Sequence, residues 1–211
     1  MKFKITLTIN RKYGNLLPFN YQYEQSAVIY RILAQADIQY ASWLHENGYQ
    51  WNESKRFKLF CYSPFIFDKI RPLPETGCLN IIGERAVWYI SFIPEESTME
   101  FIKGIFNHKS FTIGNKDHRV AFDVVGVEAM PTPQLSENMT FQAISPICVK
   151  LHEDNKTRYL SPDIPMFAQG ILKGLLARYE SIHGQPLEME DKEFLFELTD
   201  KRIKSKLITI K

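Results

Sequence analysis

The stretch Leu17–Ser63, LPFNYQYEQSAVIYRILAQADIQYASWLHENGYQWNESKRFKLFCYS, decides how the rest of the chain reads. After Pro18-Phe19-Asn20, Tyr23, Ala27, Tyr30 and Ala34 recur at helical spacing, as do Ile29, Ile32, Leu33 and Ala36, which predicts an amphipathic helix. Asp37 has the chemistry of an N-cap and predicts a second short helix, with Ile38, Ala41 and Leu44 on one side and Gly48 as a stop after Asn47. His45 falls in the last turn of that helix. There the carbonyl end of the helix dipole favours a cation, and an imidazole can both give and take a proton. Beyond a polar loop, Arg56 to Tyr62 alternates, with Phe57, Leu59 and Cys61 on one face and Lys58, Phe60 and Tyr62 on the other. This predicts a strand that holds Lys58 on a rigid element.

Upstream, Phe3, Ile5, Leu7 and Ile9 alternate with Lys2, Lys4, Thr6 and Thr8, the pattern of a half-buried strand. Downstream, a proline-containing loop at Arg71–Thr76 leads to Cys78–Ile82 and Arg85–Phe92, which flank Gly83-Glu84 like the arms of a hairpin. Ser97-Thr98-Met99-Glu100 has capping-box spacing ahead of Phe101, Ile102, Ile105 and Phe106. After Gly114-Asn115, Val120, Phe122, Val124 and Val127 form a long strand. The order strand, helix, strand, strand, helix, strand is that of a ferredoxin-like module, an antiparallel sheet with both helices on one face.

Pro131-Thr-Pro133 reads as a linker, and a second round of the same topology follows it. Thr140–Leu151 is strand-like around Ser145-Pro146, 162–182 carries Ile164, Phe167, Ile171, Leu175 and Tyr179 at helical spacing, and Phe194–Leu198 and Leu207–Ile210 read as strands. The expected class is therefore α+β, two tandem ferredoxin-like βαββαβ modules, the second incomplete at its C-terminus. Residues 1–130 form the first module, 131–139 the linker and 140–211 the partial second module. Its uncovered edge predicts completion by a homodimer partner or by a second chain.

Composition narrows the function classes. The 211 residues are 45% hydrophobic and 13% aromatic, enough for one good core or two modest ones. No apolar run has the length of a membrane span and the N-terminus alternates, so the expected compartment is the cytoplasm with no membrane partner. Cys61, Cys78 and Cys148 are odd in number and set in apolar segments, so they read as buried reduced thiols. His108, His118, His152 and His183 show no metal-ligand spacing, no nucleophile elbow is present, and neither metal nor cofactor is expected. With a net charge of +2, an anionic partner must be met by a local patch. Two patches qualify: Lys201, Arg202, Lys204 and Lys206 ahead of the final strand, and Lys150, Arg158, Lys173 and Arg178 around the second-module helix. Such cations set affinity for a phosphate backbone and its salt dependence.

Taken together, these residues resemble the CRISPR-associated repeat-processing endoribonucleases of the RAMP superfamily, tandem ferredoxin-like proteins that cut CRISPR transcripts into guide RNAs. The likeness is densest in LPFNYQYEQSAVIYRIL (17–33), ASWLHENG (41–48) and KRFKLFCYSPF (55–65). It continues through FTIGNKDHRVAFDVVGVE (111–128), ISPICVK (144–150) and the helix after Tyr159. The resemblance implies a metal-independent site of a helix tyrosine, a histidine after the second helix and a lysine on the following strand. By position these are Tyr30, His45 and Lys58, with Lys55 a neighbouring competitor for the lysine. It implies cleavage of repeat RNA by its own 2′-hydroxyl, giving a 2′,3′-cyclic phosphate and a 5′-hydroxyl. Full-length members of the family end in a glycine-rich loop and a last strand, and no such segment follows Ser205. This keeps open a second function, a non-catalytic RNA-binding or scaffolding subunit that works with other CRISPR-complex subunits.

Overall fold

The computed structural model describes residues 1–153, 156–188, 194–200 and 203. Along the chain run β1 (Lys2–Asn10), β2 (Leu16–Pro18), α1 (Gln22–Ala36), α2 (Ile38–Glu46), β3 (Tyr49–Asn52), β4 (Lys55–Phe57), β5 (Phe60–Tyr62) and β6 (Ile66–Phe67). They are followed by β7 (Ile70–Leu73), β8 (Cys78–Ile81), β9 (Arg85–Phe92), α3 (Glu95–Asn107), β10 (Ser110–Gly114) and β11 (Arg119–Met130). The remainder is β12 (Lys150–Glu153), β13 (Lys156–Tyr159) and α4 (Pro165–His183). The chain is α+β with antiparallel strand pairing. It divides into two compact units, Met1–Glu46 with Leu59–Ile144, and Asn47–Lys58 with the described part of Ser145–Ile210.

In the first unit β1 is central, paired on one side with β11 and on the other with β9. The sheet order is β10-β11-β1-β9-β5, with β6 also on β9. Removing the added edge strand β10 leaves fourth, first, third, second, the ferredoxin-like order. The alternation of β1 does its expected work: Phe3, Ile5 and Leu7 are buried beside Trp88, Ile90 and Phe92 of β9. Helix α3 closes this layer through Phe101, whose ring lies 5.0 Å from that of Phe92. Helices α1 and α3 pack backbone to backbone, because a Cβ on Gly104 would stand 1.9 Å from the Ile32 carbonyl oxygen. The second expected strand is interrupted, with β5 and β6 pairing to opposite ends of β9. Between them Pro64 has no N–H to give, and Ser63 spans the gap: its N–H donates to the Tyr89 carbonyl at 2.9 Å and its hydroxyl accepts from the Tyr89 N–H at 3.0 Å.

The second unit pairs the hairpin β3–β4 with α4. The Trp51 indole N–H donates to Glu180 Oε2 at 2.6 Å, and the Arg178 guanidinium lies 4.8 Å from the centre of the Phe57 ring. Strands β12 and β13 form a second hairpin. Gly170 of α4 gives room to Val149, which a Cβ there would meet at 2.4 Å.

Several expectations are corrected. The Cys78–Ile82 segment does not pair with Arg85–Phe92: β8 lies between β2 and β7 in a separate three-stranded sheet. Within that sheet, Ile70–Leu73 is a strand although Pro72 suggests a loop, since β7 is an edge and its proline is tolerated there. Ser97 and Thr98 do not form a capping box. Helix α3 begins earlier, at Glu95, and the buried Ser97 hydroxyl meets the hydroxyl of Tyr40, while Thr98 Oγ1 donates to the Pro94 carbonyl at 3.0 Å. The strand expected over 140–151 is confined to Lys150–Glu153, and 194–198 is not a strand. Leu207–Ile210 lies outside the described residues. Cys61 and Cys148 are exposed and only Cys78 is buried.

Candidate active site

The chain places Tyr30 and His45 by means of one tight corner between two helices. Helix α1 ends where the Asp37 N–H donates to the Leu33 carbonyl at 2.9 Å, and α2 begins where the Asp37 carboxylate accepts the Tyr40 N–H at 2.8 Å. One residue thus closes the first helix and caps the second. Tyr40, Ala41 and Leu44 bury one side of α2. That orientation leaves His45 exposed at the helix end, next to the half-buried Tyr30 of α1. The two rings meet edge to face, with centroids 5.0 Å apart and planes at 85°. An edge-on contact of this kind favours one orientation of the imidazole plane.

Behind the pair stands an aromatic wall contributed by β5. Phe60 lies 5.8 Å from Tyr30 and 6.3 Å from Tyr62, centroid to centroid. The Tyr62 hydroxyl donates to the Gln22 carbonyl at 3.1 Å. Burial, and then the proximity of Tyr62, raise the Tyr30 phenol above its ordinary range; burial likewise raises Tyr62 although a hydrogen bond with Ser26 opposes it. Both phenols therefore stay protonated at neutral pH, and Tyr30 is available as a neutral donor to an anion.

Lys58 differs from its expected setting. The predicted strand Arg56–Tyr62 breaks in two, because Leu59 is buried with φ +54, a left-handed conformation uncommon for a leucine. Lys58 is thus not on a strand, and it belongs to the second unit, whereas Phe60 and Tyr62 belong to the first. Its side chain lies along Gly48: a Cβ there would stand 3.1 Å from Lys58 Cδ and 3.3 Å from Nζ. Gly48 has φ +69 and is three residues beyond His45 in sequence. Partial burial, and then the neighbouring Arg56 cation, lower the Lys58 pKa. Lys55, the competitor, is exposed with its ammonium 5.2 Å from the centre of the Trp51 ring.

Of the expected RNA-binding cations, Lys150, Arg158, Lys173 and Arg178 are exposed on β12, β13 and α4. Lys150 lies 5.6 Å from the Tyr159 ring centre, and Arg178 is engaged twice, over Phe57 and as donor to the Gly174 carbonyl at 2.7 Å. Lys201, Arg202, Lys204 and Lys206 lie outside the described residues. Among the described residues no three histidine, cysteine, aspartate or glutamate side chains are placed to share a metal ion, and no helix is long and apolar enough to cross a membrane. Sequence reasoning missed the part played by Phe60, Tyr62 and Gly48. The alternation of Phe60 with Tyr62 was a usable signal, whereas nothing in the sequence marks Leu59 as left-handed.

The fold and this tyrosine–histidine corner define a class, the ferredoxin-like RAMP proteins, and the comparisons narrow it. Residues 16–123 match the family model of the N-terminal part of CRISPR-associated protein Cas6, and residues 130–211 match that of its C-terminal part. The chain belongs to the Cas6 family. It is 28% identical over 207 residues to CRISPR-associated endoribonuclease Cas6 1 of Methanocaldococcus jannaschii, covering 96% of this chain and 76% of that one. It is 27% identical to a putative Cas6 endoribonuclease-like protein of Pyrococcus furiosus, covering 87% and 71%. Among solved structures it is similar to a Cas6-related protein of Pyrococcus furiosus, with TM-score 0.71, 26% identity and coverage of 89% and 73%. A RAMP protein that binds different RNA substrates gives TM-score 0.69, 25% identity and coverage of 88% and 73%.

Proposed function

We propose that this chain is a metal-independent endoribonuclease that cleaves CRISPR precursor transcripts within the repeat. The observation that carries the proposal is the exposed His45 imidazole held edge-on against Tyr30 at the end of α2. The relatives named as CRISPR-associated endoribonucleases support the substrate class.

In this mechanism the RNA supplies its own nucleophile. His45 takes the proton from the 2′-hydroxyl, returns one to the departing 5′-oxygen, or does both through solvent. Each such transfer contributes about a hundred- to ten-thousand-fold in rate. The 2′-oxygen attacks the adjacent phosphorus, the bond to the 5′-oxygen breaks, and the products are a 2′,3′-cyclic phosphate and a 5′-hydroxyl. Tyr30, a neutral phenol, donates to a non-bridging phosphate oxygen and orients the scissile group. The Lys58 ammonium balances the extra negative charge of the pentacoordinate phosphorane. These three groups provide both proton transfers and the charge compensation, so no metal is needed for the reaction. Lys150, Arg158 and Lys173 hold the RNA backbone.

The test is substrate chemistry. A repeat RNA with a single 2′-deoxy sugar on the 5′ side of the cut is expected to be bound and left intact, while the all-ribose RNA yields a cyclic phosphate end. Cleavage of the deoxy-substituted RNA at the same bond would overturn the mechanism. Retention of all-ribose RNA without any cutting would instead favour the non-catalytic, scaffolding role.

A further inference from the structure

Helix α1 has two flanks, and the active site uses one of them. Its buried stripe is Gln25, Val28, Ile29, Ile32 and Leu33, with Tyr30 on one side facing His45 and Phe60. On the other side Arg31 reaches toward β10 and donates to the Thr112 carbonyl at 3.0 Å. There the first unit has a groove of about 420 Å³, lined by both apolar and polar groups. That volume lies within the range of small-ligand pockets.

Three features of the groove specify a ligand. Lys12, Arg31 and His108 line it, and among the described lining residues Asp123 is the one carboxylate. Two permanent cations, Lys12 and Arg31, thus line the groove with one carboxylate. Asp123 is fixed in place, one oxygen accepting from Ser110 Oγ at 2.6 Å and the other from Asn10 Nδ2 at 3.1 Å. A carboxylate held this way still has lone pairs for an amine donor. Third, Tyr13 lies at the groove with the Arg119 guanidinium 4.3 Å from its ring centre, and Phe111 lines the groove as well. Anion-binding cations, one immobilised acceptor and aromatic surface together match a nucleotide: phosphate, exocyclic amine and base face. An acidic peptide fits less well, because its side chains offer neither an amine donor for Asp123 nor a flat face for the aromatic rings.

We infer that this groove between α1 and β10 binds one unpaired nucleotide of the substrate RNA, so that the strand crosses the exposed crest of α1 between the groove and Tyr30. The inference rests on the RNA-cleaving reading of the protein and adds to it a contact outside the cleavage site. The crest suits such a crossing, since Ala27 is exposed there and presents no bulk.

The test uses the full chain and a fluorescent repeat RNA. Lys12→Gln and Arg31→Gln are each expected to raise Kd roughly tenfold and to flatten the slope of log Kd against log salt by about one. Arg31 also holds β10. Lys12 stands on a surface turn over the Tyr13 ring, 5.3 Å from its centre, so its variant separates contact from folding. As an independent readout, ultraviolet cross-linking of RNA carrying 6-thioguanosine, which keeps an exocyclic amine, is expected to modify residues 10–13 or 108–112. Unchanged affinity and salt slope in both variants, with cross-links elsewhere, would overturn the groove and leave the endoribonuclease reading standing. A wild-type chain that binds no repeat RNA would overturn that reading and the groove with it. Lys12-dependent binding of a poly-glutamate peptide without any change in RNA affinity would make the groove a protein site and overturn the inference.

Discussion

Tyr30 offers a ring set edge to face with His45 and a phenol hydroxyl, and the two can be separated by one atom. Tyr30→Phe keeps the ring contact and removes the donor. Single-turnover cleavage of repeat RNA is expected to slow roughly ten- to hundredfold, the worth of one hydrogen bond to a charged group, with the melting temperature unchanged. Lys58 gives a pH signature. Its pKa is depressed, so its ammonium is lost on the alkaline side at a lower pH than for an ordinary lysine, and under the proposed mechanism the cleavage rate is expected to fall with it. Because Arg56 contributes to that depression, Arg56→Gln is expected to move the alkaline limb of the rate profile to higher pH; a shift to lower pH, or none, would separate that limb from Lys58. The choice of Tyr30 and His45 rests on the family resemblance, but the helices that carry them were legible in the sequence because helical spacing and an Asp37 cap are local signals. The setting of Lys58 was not. Strict alternation through residues 56–62 conceals the left-handed Leu59 that splits the strand, and a leucine in that conformation carries no mark in the sequence.

At the scale of elements, the packing of α1, which carries Tyr30, against α3 depends on Gly104. A methyl group there would meet the Ile32 carbonyl, backbone against backbone, so neither side can yield by rotating a side chain. Gly104→Ala is expected to cost about 1–3 kcal/mol despite the gain in helix propensity, seen as a lowered denaturation midpoint. A stabilised protein would show that α1 and α3 are not packed as described. The capping-box spacing at 97–100 misled for a tertiary reason. Ser97 is carried into the interior to meet the Tyr40 hydroxyl, and the start of the helix moves upstream to Pro94, where Glu95 and Glu96 favour the N-terminal dipole. Likewise the Gly83-Glu84 turn is real, but β8 finds its partners in β2 and β7, a pairing that no local pattern encodes.

On the scale of the whole molecule, the division of the chain is discontinuous. Asn47–Lys58 leaves the first unit after α2 to pack on α4, and the chain returns at Leu59. Sequence periodicity shows the elements of each unit but not this exchange, since it is decided by long-range contacts such as Trp51 with Glu180. Within that segment Gly48 and Lys58 lie side by side. The measurement that tests the central claim most directly is cleavage of end-labelled repeat RNA in excess EDTA by the wild-type chain and by His45→Ala, with binding followed in parallel. The account predicts that the wild type cuts at one bond in EDTA, and that the variant binds with similar affinity and is slowed by at least about a hundredfold. Equal cutting by both proteins, or a wild type silenced by EDTA, would contradict it.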